Sequence, residues 1–89
     1  MKIFKYEVQI QDSIVIDLPI DSKILSFQVQ NNKPYIWVLV DPAKQTVSRY
    51  FTIIPTGTEI EYLDDVLIYI GTIQMAQGAL VFHLFEDIT

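Results

Sequence analysis

Between Lys23 and Asp41 the chain reads KILSFQVQNNKPYIWVLVD, two runs of strand-forming residues about a polar break that contains a proline. Leu25, Phe27 and Val29 alternate with Ser26, Gln28 and Gln30, the period-two pattern of a strand with one dry and one wetter face. Asn31, Asn32, Lys33 and Pro34 then supply turn residues, one of which fixes its own backbone angle and lacks an N–H. Tyr35 to Val40 is apolar at every position. In so short a run this means a strand covered on both sides, or one whose outer face meets a partner. The pair is expected to form a central hairpin, and a chain organised around it is expected to be all-β.

The rest of the sequence repeats the pattern. Phe4, Tyr6, Val8 and Ile10 alternate with Lys5, Glu7 and Gln9 in a first strand over residues 2 to 10. A polar turn at Gln11 to Ser13 precedes Ile14, Ile16 and Leu18, so these two strands are expected to pair as a hairpin. Asp41 to Lys44 reads as a proline turn, and a fifth strand follows from Thr46 to Ile54, with Val47, Arg49, Phe51 and Ile53 on one face. Val66 to Met75 and Ala79 to Phe85 form a last hairpin, with Gly71 marking a bulge, a bend or a close backbone approach. No window sustains helical spacing with start and stop signals. About seven short strands in residues 1–89 predict one small antiparallel β-sandwich or partly closed barrel, as a single domain.

At 89 residues the chain can bury roughly 60 to 65% of its unfolded surface, enough for one modest core. It has no cysteine, which removes disulfides, thiolate metal sites and cysteine nucleophiles and fits a reducing compartment. No signal-peptide pattern follows Met1, and no apolar run reaches the roughly 20 residues of a spanning helix, so a soluble protein without membrane association is expected. Eleven acidic against six basic side chains give a net charge of −5, which disfavours polymeric nucleic acid as a partner. The apolar fraction of 51% in so small a chain leads us to expect a homo-oligomer formed through an apolar face.

Few residues invite chemistry. Arg49, the only arginine, either lies with its guanidinium in solvent or on a carboxylate, or anchors an anion. Thr56, Gly57 and Thr58 read as an ordinary loop or as a weak oxyanion cradle. Glu59, Glu61, Asp64 and Asp65 lack the spacing of a calcium loop, so a solvated acidic loop is expected and no metal site is assigned. His83, the only histidine, sits in VFHLF and is expected to be a packed ring satisfied by one or two hydrogen bonds. No serine stands in a nucleophile-elbow context, and no cofactor is implied, so a non-enzymatic protein is expected. Trp37, Tyr35, Tyr50 and Tyr69 lie on strands, where a ring is either core or a stacking platform.

In order and spacing, MKIFKYEV, KILSFQVQNNKPYIWVLVD, YIGTIQM and LVFHLFE resemble a family of small bacteriophage and prophage proteins of unassigned function. The resemblance covers nearly the whole chain. It departs at Pro55 to Thr58, where relatives carry a second glycine, and at Phe82, where they carry tryptophan. It implies a phage protein acting in the cytoplasm of an infected host, and no established activity. By analogy with phage biology, the expected role is anti-defence by binding. A nucleotide-type immune signal would be sequestered in a pocket at a subunit junction, with Arg49 on phosphate, Trp37 or Tyr50 stacking a base, and Thr56, Gly57, Thr58 and His83 nearby. The alternatives are an acidic inhibitor of a host defence protein and a small virion or assembly component.

Overall fold

The computed structural model describes residues 1–60 and 66–88. Seven strands appear in chain order: β1 (Lys2–Glu7), β2 (Ser13–Pro19), β3 (Lys23–Gln30), β4 (Lys33–Val40), β5 (Thr46–Pro55), β6 (Leu67–Met75) and β7 (Leu80–Asp87). They form two antiparallel sheets, β1-β4-β3 and β2-β5-β7-β6, stacked as a sandwich without barrel closure. No helix of the described residues is long and apolar enough to cross a membrane.

The alternation of the sequence becomes the two sides of each sheet. Ile36, Val38 and Val40 of β4 and Phe27 of β3 point inward from the smaller sheet. Ile14, Leu18, Phe51, Ile53, Ile73 and Leu84 meet them from the larger one. Burial of such side chains at about 1.5–3 kcal/mol each supplies the main drive for stacking. Tyr35, Trp37 and Leu39 are left half-buried on the outer side of β4. The uniformly apolar run is therefore a strand with one fully covered face and one partly open face.

The central hairpin is present, and its turn is tighter than the sequence implies. Asn31 and Asn32 alone make it, with φ of 53° and 64°, the mirror-image turn that suits the twist of paired strands. Pro34 lies inside β4 and is buried. Its carbonyl accepts the Val8 N–H at 3.0 Å, and the N–H that proline lacks would face the same neighbour, so the β1–β4 ladder is bonded in one direction only at this end. The β6–β7 hairpin is also present, closed by a turn in which Ala76, Gln77 and Gly78 all have positive φ (51°, 57° and 89°) and the Ala79 N–H donates to the Ala76 carbonyl at 3.1 Å.

The expected pairing of the first two strands is corrected. β1 pairs with β4 in one sheet and β2 with β5 in the other. The first strand stops at Glu7, and residues 8 to 12 carry the chain between layers, with Val8 buried in the core as it passes. Five residues with no glycine make a crossing rather than a two-residue turn.

Gly71 explains how the layers meet at one edge. β6 bulges between Tyr69 and Gly71, β3 bulges between Ile24 and Ser26, and the two edge strands approach there. A β-carbon built at Gly71 would stand 3.3 Å from the Phe27 Cβ and 3.8 Å from its backbone N and O. The glycine is what the approach requires.

Candidate functional site

Register decides which of the candidate residues can act together, because directly opposed residues of an antiparallel pair share a face. Arg49 opposes Ile16 and shares the inward side of β5 with Phe51 and Ile53. Tyr50 opposes Val15 and Asp87 on the outer face of the same sheet. His83 opposes Ile54 and Thr72 on that outer face. Trp37 opposes Lys5 and Ser26 on the outer face of the other sheet. Both layers of the sandwich thus separate Trp37 from Tyr50 and His83, and one chain does not bring the set together.

Arg49 is held from three directions. Its Nε donates to Glu86 Oε2 at 2.6 Å, its Nη2 donates to Glu86 Oε1 at 2.7 Å, and its Nη1 donates to the Ser22 carbonyl. Both charged side chains are largely shielded, 21% and 15% exposed. This is the bidentate geometry that suits a guanidinium, used on a carboxylate of the same chain. It ties the β2–β3 connection, which crosses from one sheet to the other, to β5 and β7. A hollow of 360 Å³ opens beside the pair, lined by Ile24, Leu25, Ile68 and Tyr69 among others.

His83 has both ring nitrogens occupied, Nε2 by Thr56 Oγ1 at 2.6 Å and Nδ1 by Thr72 Oγ1 at 2.8 Å. Thr72 Oγ1 also meets the Tyr69 hydroxyl at 2.5 Å. The result is a line of hydroxyls joined through the imidazole, with a partner at each ring nitrogen. Tyr69 packs edge-on to Phe85 at 5.6 Å beside it, and a 480 Å³ hollow lies farther along this face by Val15, Tyr50, Thr52 and Asp87.

The Thr56–Thr58 loop is a turn. The Thr58 N–H donates to the Pro55 carbonyl at 3.2 Å, with Gly57 at φ 89°, and the Thr56 N–H donates to the Val81 carbonyl at 3.0 Å. A positive φ at the third turn position is what glycine supplies. Two of the N–H groups that an oxyanion would need are therefore taken. Of the acidic loop, Glu59 is exposed, while Glu61, Asp64 and Asp65 lie outside the described residues.

The outer face of β1-β4-β3 combines an aromatic surface with cations. Tyr35 and Trp37 meet edge-on, centroids 5.9 Å apart. Lys5 Nζ lies 4.5 Å from the Tyr35 ring centroid and donates to Gln30 Oε1 at 2.8 Å. Lys23 opposes Leu39 on the same side and is exposed, with no partner among the described residues. Lys33 faces Glu7 across a loose 3.9 Å ion pair. Ser26, Gln28 and Gln30 complete the face with hydroxyl and amide groups.

Charge is sorted by sheet. β1, β3 and β4 carry four lysines, Lys2, Lys5, Lys23 and Lys33, against the single acid Glu7. The whole chain holds six basic and eleven acidic residues. Lys5, Lys23 and Lys33 share the outer face with Trp37 and Glu7, while Lys2 opposes Val40 on the other side, so an acidic protein presents one face with three lysines, one acid and two aromatic rings. Reading the sequence for motifs misses Lys5, Lys23, Gln28 and Gln30. Alternation on either side of Trp37 is the signal that finds them.

Neither the curated proteins nor the solved structures hold a match to this chain. A family model described as a domain of unknown function, DUF7352, matches residues 1–89, and the chain belongs to that family over its whole length.

Proposed function

We propose that this protein works by binding, without catalysis, and that it holds a small nucleotide-type anion on the outer face of β1-β4-β3. The carrying observation is the gathering of Tyr35, Trp37, Lys5 and Lys23 on one face of a chain whose net charge is −5. Trp37 stacks a base, Lys23 and Lys5 meet phosphate, and Gln28 and Ser26 contact polar edges. Stacking on an aromatic side chain contributes about 1–3 kcal/mol per base. This reading keeps Trp37 from the candidate set and replaces Arg49 with lysines, since the guanidinium is engaged by Glu86. Sequestration of a nucleotide-type immune signal, by a phage protein in the infected host's cytoplasm, is the biological form of the proposal. It rests on the resemblance to phage and prophage proteins.

Calorimetry with cyclic dinucleotides and cyclic ADP-ribose isomers tests it, followed in parallel by the fluorescence of the sole tryptophan. The expected result is binding that quenches Trp37 and weakens about tenfold in Trp37→Ala, as loss of one stacked base predicts. Lys23→Glu is expected to weaken it further as salt is lowered. Silence across the panel removes the nucleotide reading. Salt-sensitive capture of a host protein, lost on neutralising Glu59, Glu61, Asp64 and Asp65, would point to the acidic inhibitor in its place.

A further inference from the structure

A sandwich of two open sheets has four edge strands, and they are not equally protected. β3 and β6 are bulged and lie against one another. β2 ends on Pro19, which has no donor, and carries the exposed charge of Asp17. Bulges, prolines and edge charges are the usual means of discouraging further pairing. β1 has a continuous register with β4 over Lys2–Glu7 and pairs with nothing on its other side among the described residues. Along it Met1, Ile3 and Phe4 are 77%, 60% and 38% exposed. Lys5 would normally guard such an edge. Its side chain turns inward over Tyr35 to Gln30, away from the opening.

The backbone of β1 has a fixed polarity. Val8 donates to Pro34, so Val8–Pro34 is a hydrogen-bonded position of the β1–β4 ladder. Alternation then directs the N–H and C=O groups of Lys2, Phe4 and Tyr6 at β4, and those of Ile3, Lys5 and Glu7 outward. We propose that a second copy of this chain occupies the edge, β1 pairing antiparallel with β1 about a twofold axis at Phe4. Faces match across such a pair only where the opposed residue numbers sum to an even value. Centring on Phe4 sets Ile3 opposite Lys5 and Lys2 opposite Tyr6. The outward groups of Ile3 and Lys5 then exchange hydrogen bonds, and no two lysines are opposed. Centring on Lys5 would oppose the two Lys5 residues, which charge disfavours. The interface is isologous and closes at two copies. It also makes one sheet of the two cationic faces, with both Trp37–Lys5 pairs on the same side of the dimer. The pairing stands whether or not that face takes a nucleotide.

Sedimentation velocity over a concentration series, on the full chain, is the first measurement. Wild type is expected at twice the 10.3 kDa chain mass, and Ile3→Pro at the monomer mass with unchanged circular dichroism. The N–H that proline removes at this position faces away from β4, so the fold keeps its ladder. Disulfide trapping gives a second, independent reading. Phe4 at the axis is a non-hydrogen-bonded position, where Cα atoms approach to about 4.5 Å, within disulfide range. In a chain without cysteine, Phe4→Cys is expected to crosslink on mild oxidation, and Val15→Cys on the β2 edge to stay monomeric. A monomeric wild type would overturn the proposal, as would absence of the Phe4→Cys crosslink. So would a dimer that survives Ile3→Pro but is lost in Val15→Pro. Nucleotide binding by a proven monomer would leave the functional reading intact and sink only this one.

Discussion

Arg49 and Glu86 form the most shielded ion pair among the described residues, and the balance of forces there decides what the guanidinium is for. Two charges removed from water give little net stability while paired, yet the loss of one leaves the other without compensation. Arg49→Met is therefore expected to lower unfolding free energy by about 3 kcal/mol, read from urea denaturation. Adding Glu86→Leu is expected to restore much of that loss. A guanidinium that served only a ligand would leave stability unchanged in the single variant. Tyr6 supplies a second residue-level test. It packs half-buried against the core, and burial raises its phenol pKa above the ordinary tyrosine value. The folded state thus favours the neutral ring. Its contribution is complete below the unfolded-state pKa and is lost as pH rises through the folded-state pKa. Urea titrations from neutral to alkaline pH are expected to show a shallower stability loss in Tyr6→Phe than in wild type. Sequence could place Arg49 on an apolar strand face. It could not name Glu86, a strand away and 37 positions along the chain, as the group that would meet it.

At the scale of the element, strand existence was legible and strand partnership only where it was local. The β3–β4 and β6–β7 hairpins follow from alternating runs about short turns, since chain connectivity fixes both neighbour and register. The pairing of β1 with β4 and of β2 with β5 does not follow. Either strand could have closed on the other, and the choice comes from burying Val8, Ile14 and Leu18 between two layers. Gly71 shows the reverse case, a single residue type announcing a contact with a strand far off in sequence. Its β-carbon would press on the Phe27 Cβ, an atom fixed to the β3 backbone and unable to yield by a rotamer change. Gly71→Ala is expected to cost about 1 kcal/mol as β3 and β6 are pushed apart. That would lower Tm by about 4–8 °C in a domain this small, measured by thermal denaturation.

For the molecule as a whole, two faces of different character are the main outcome of folding. Trp37 on one side and Tyr50 and His83 on the other are one set by residue type alone, because sequence carries no sign for the face of a sheet. Only register supplies that sign. The sorting of lysines onto β1, β3 and β4 was equally invisible in a total charge of −5. Such sorting leaves a local positive potential on a molecule of negative net charge. A dissolved anion far from the protein meets the field of the total charge and is repelled, whereas within a few ångströms of Lys5 and Lys23 it is drawn in. Mobile ions erase the first effect beyond a Debye length of about 8 Å at physiological salt and spare much of the second. An anion should therefore land on this protein more readily in the salt of a living cell than in dilute buffer.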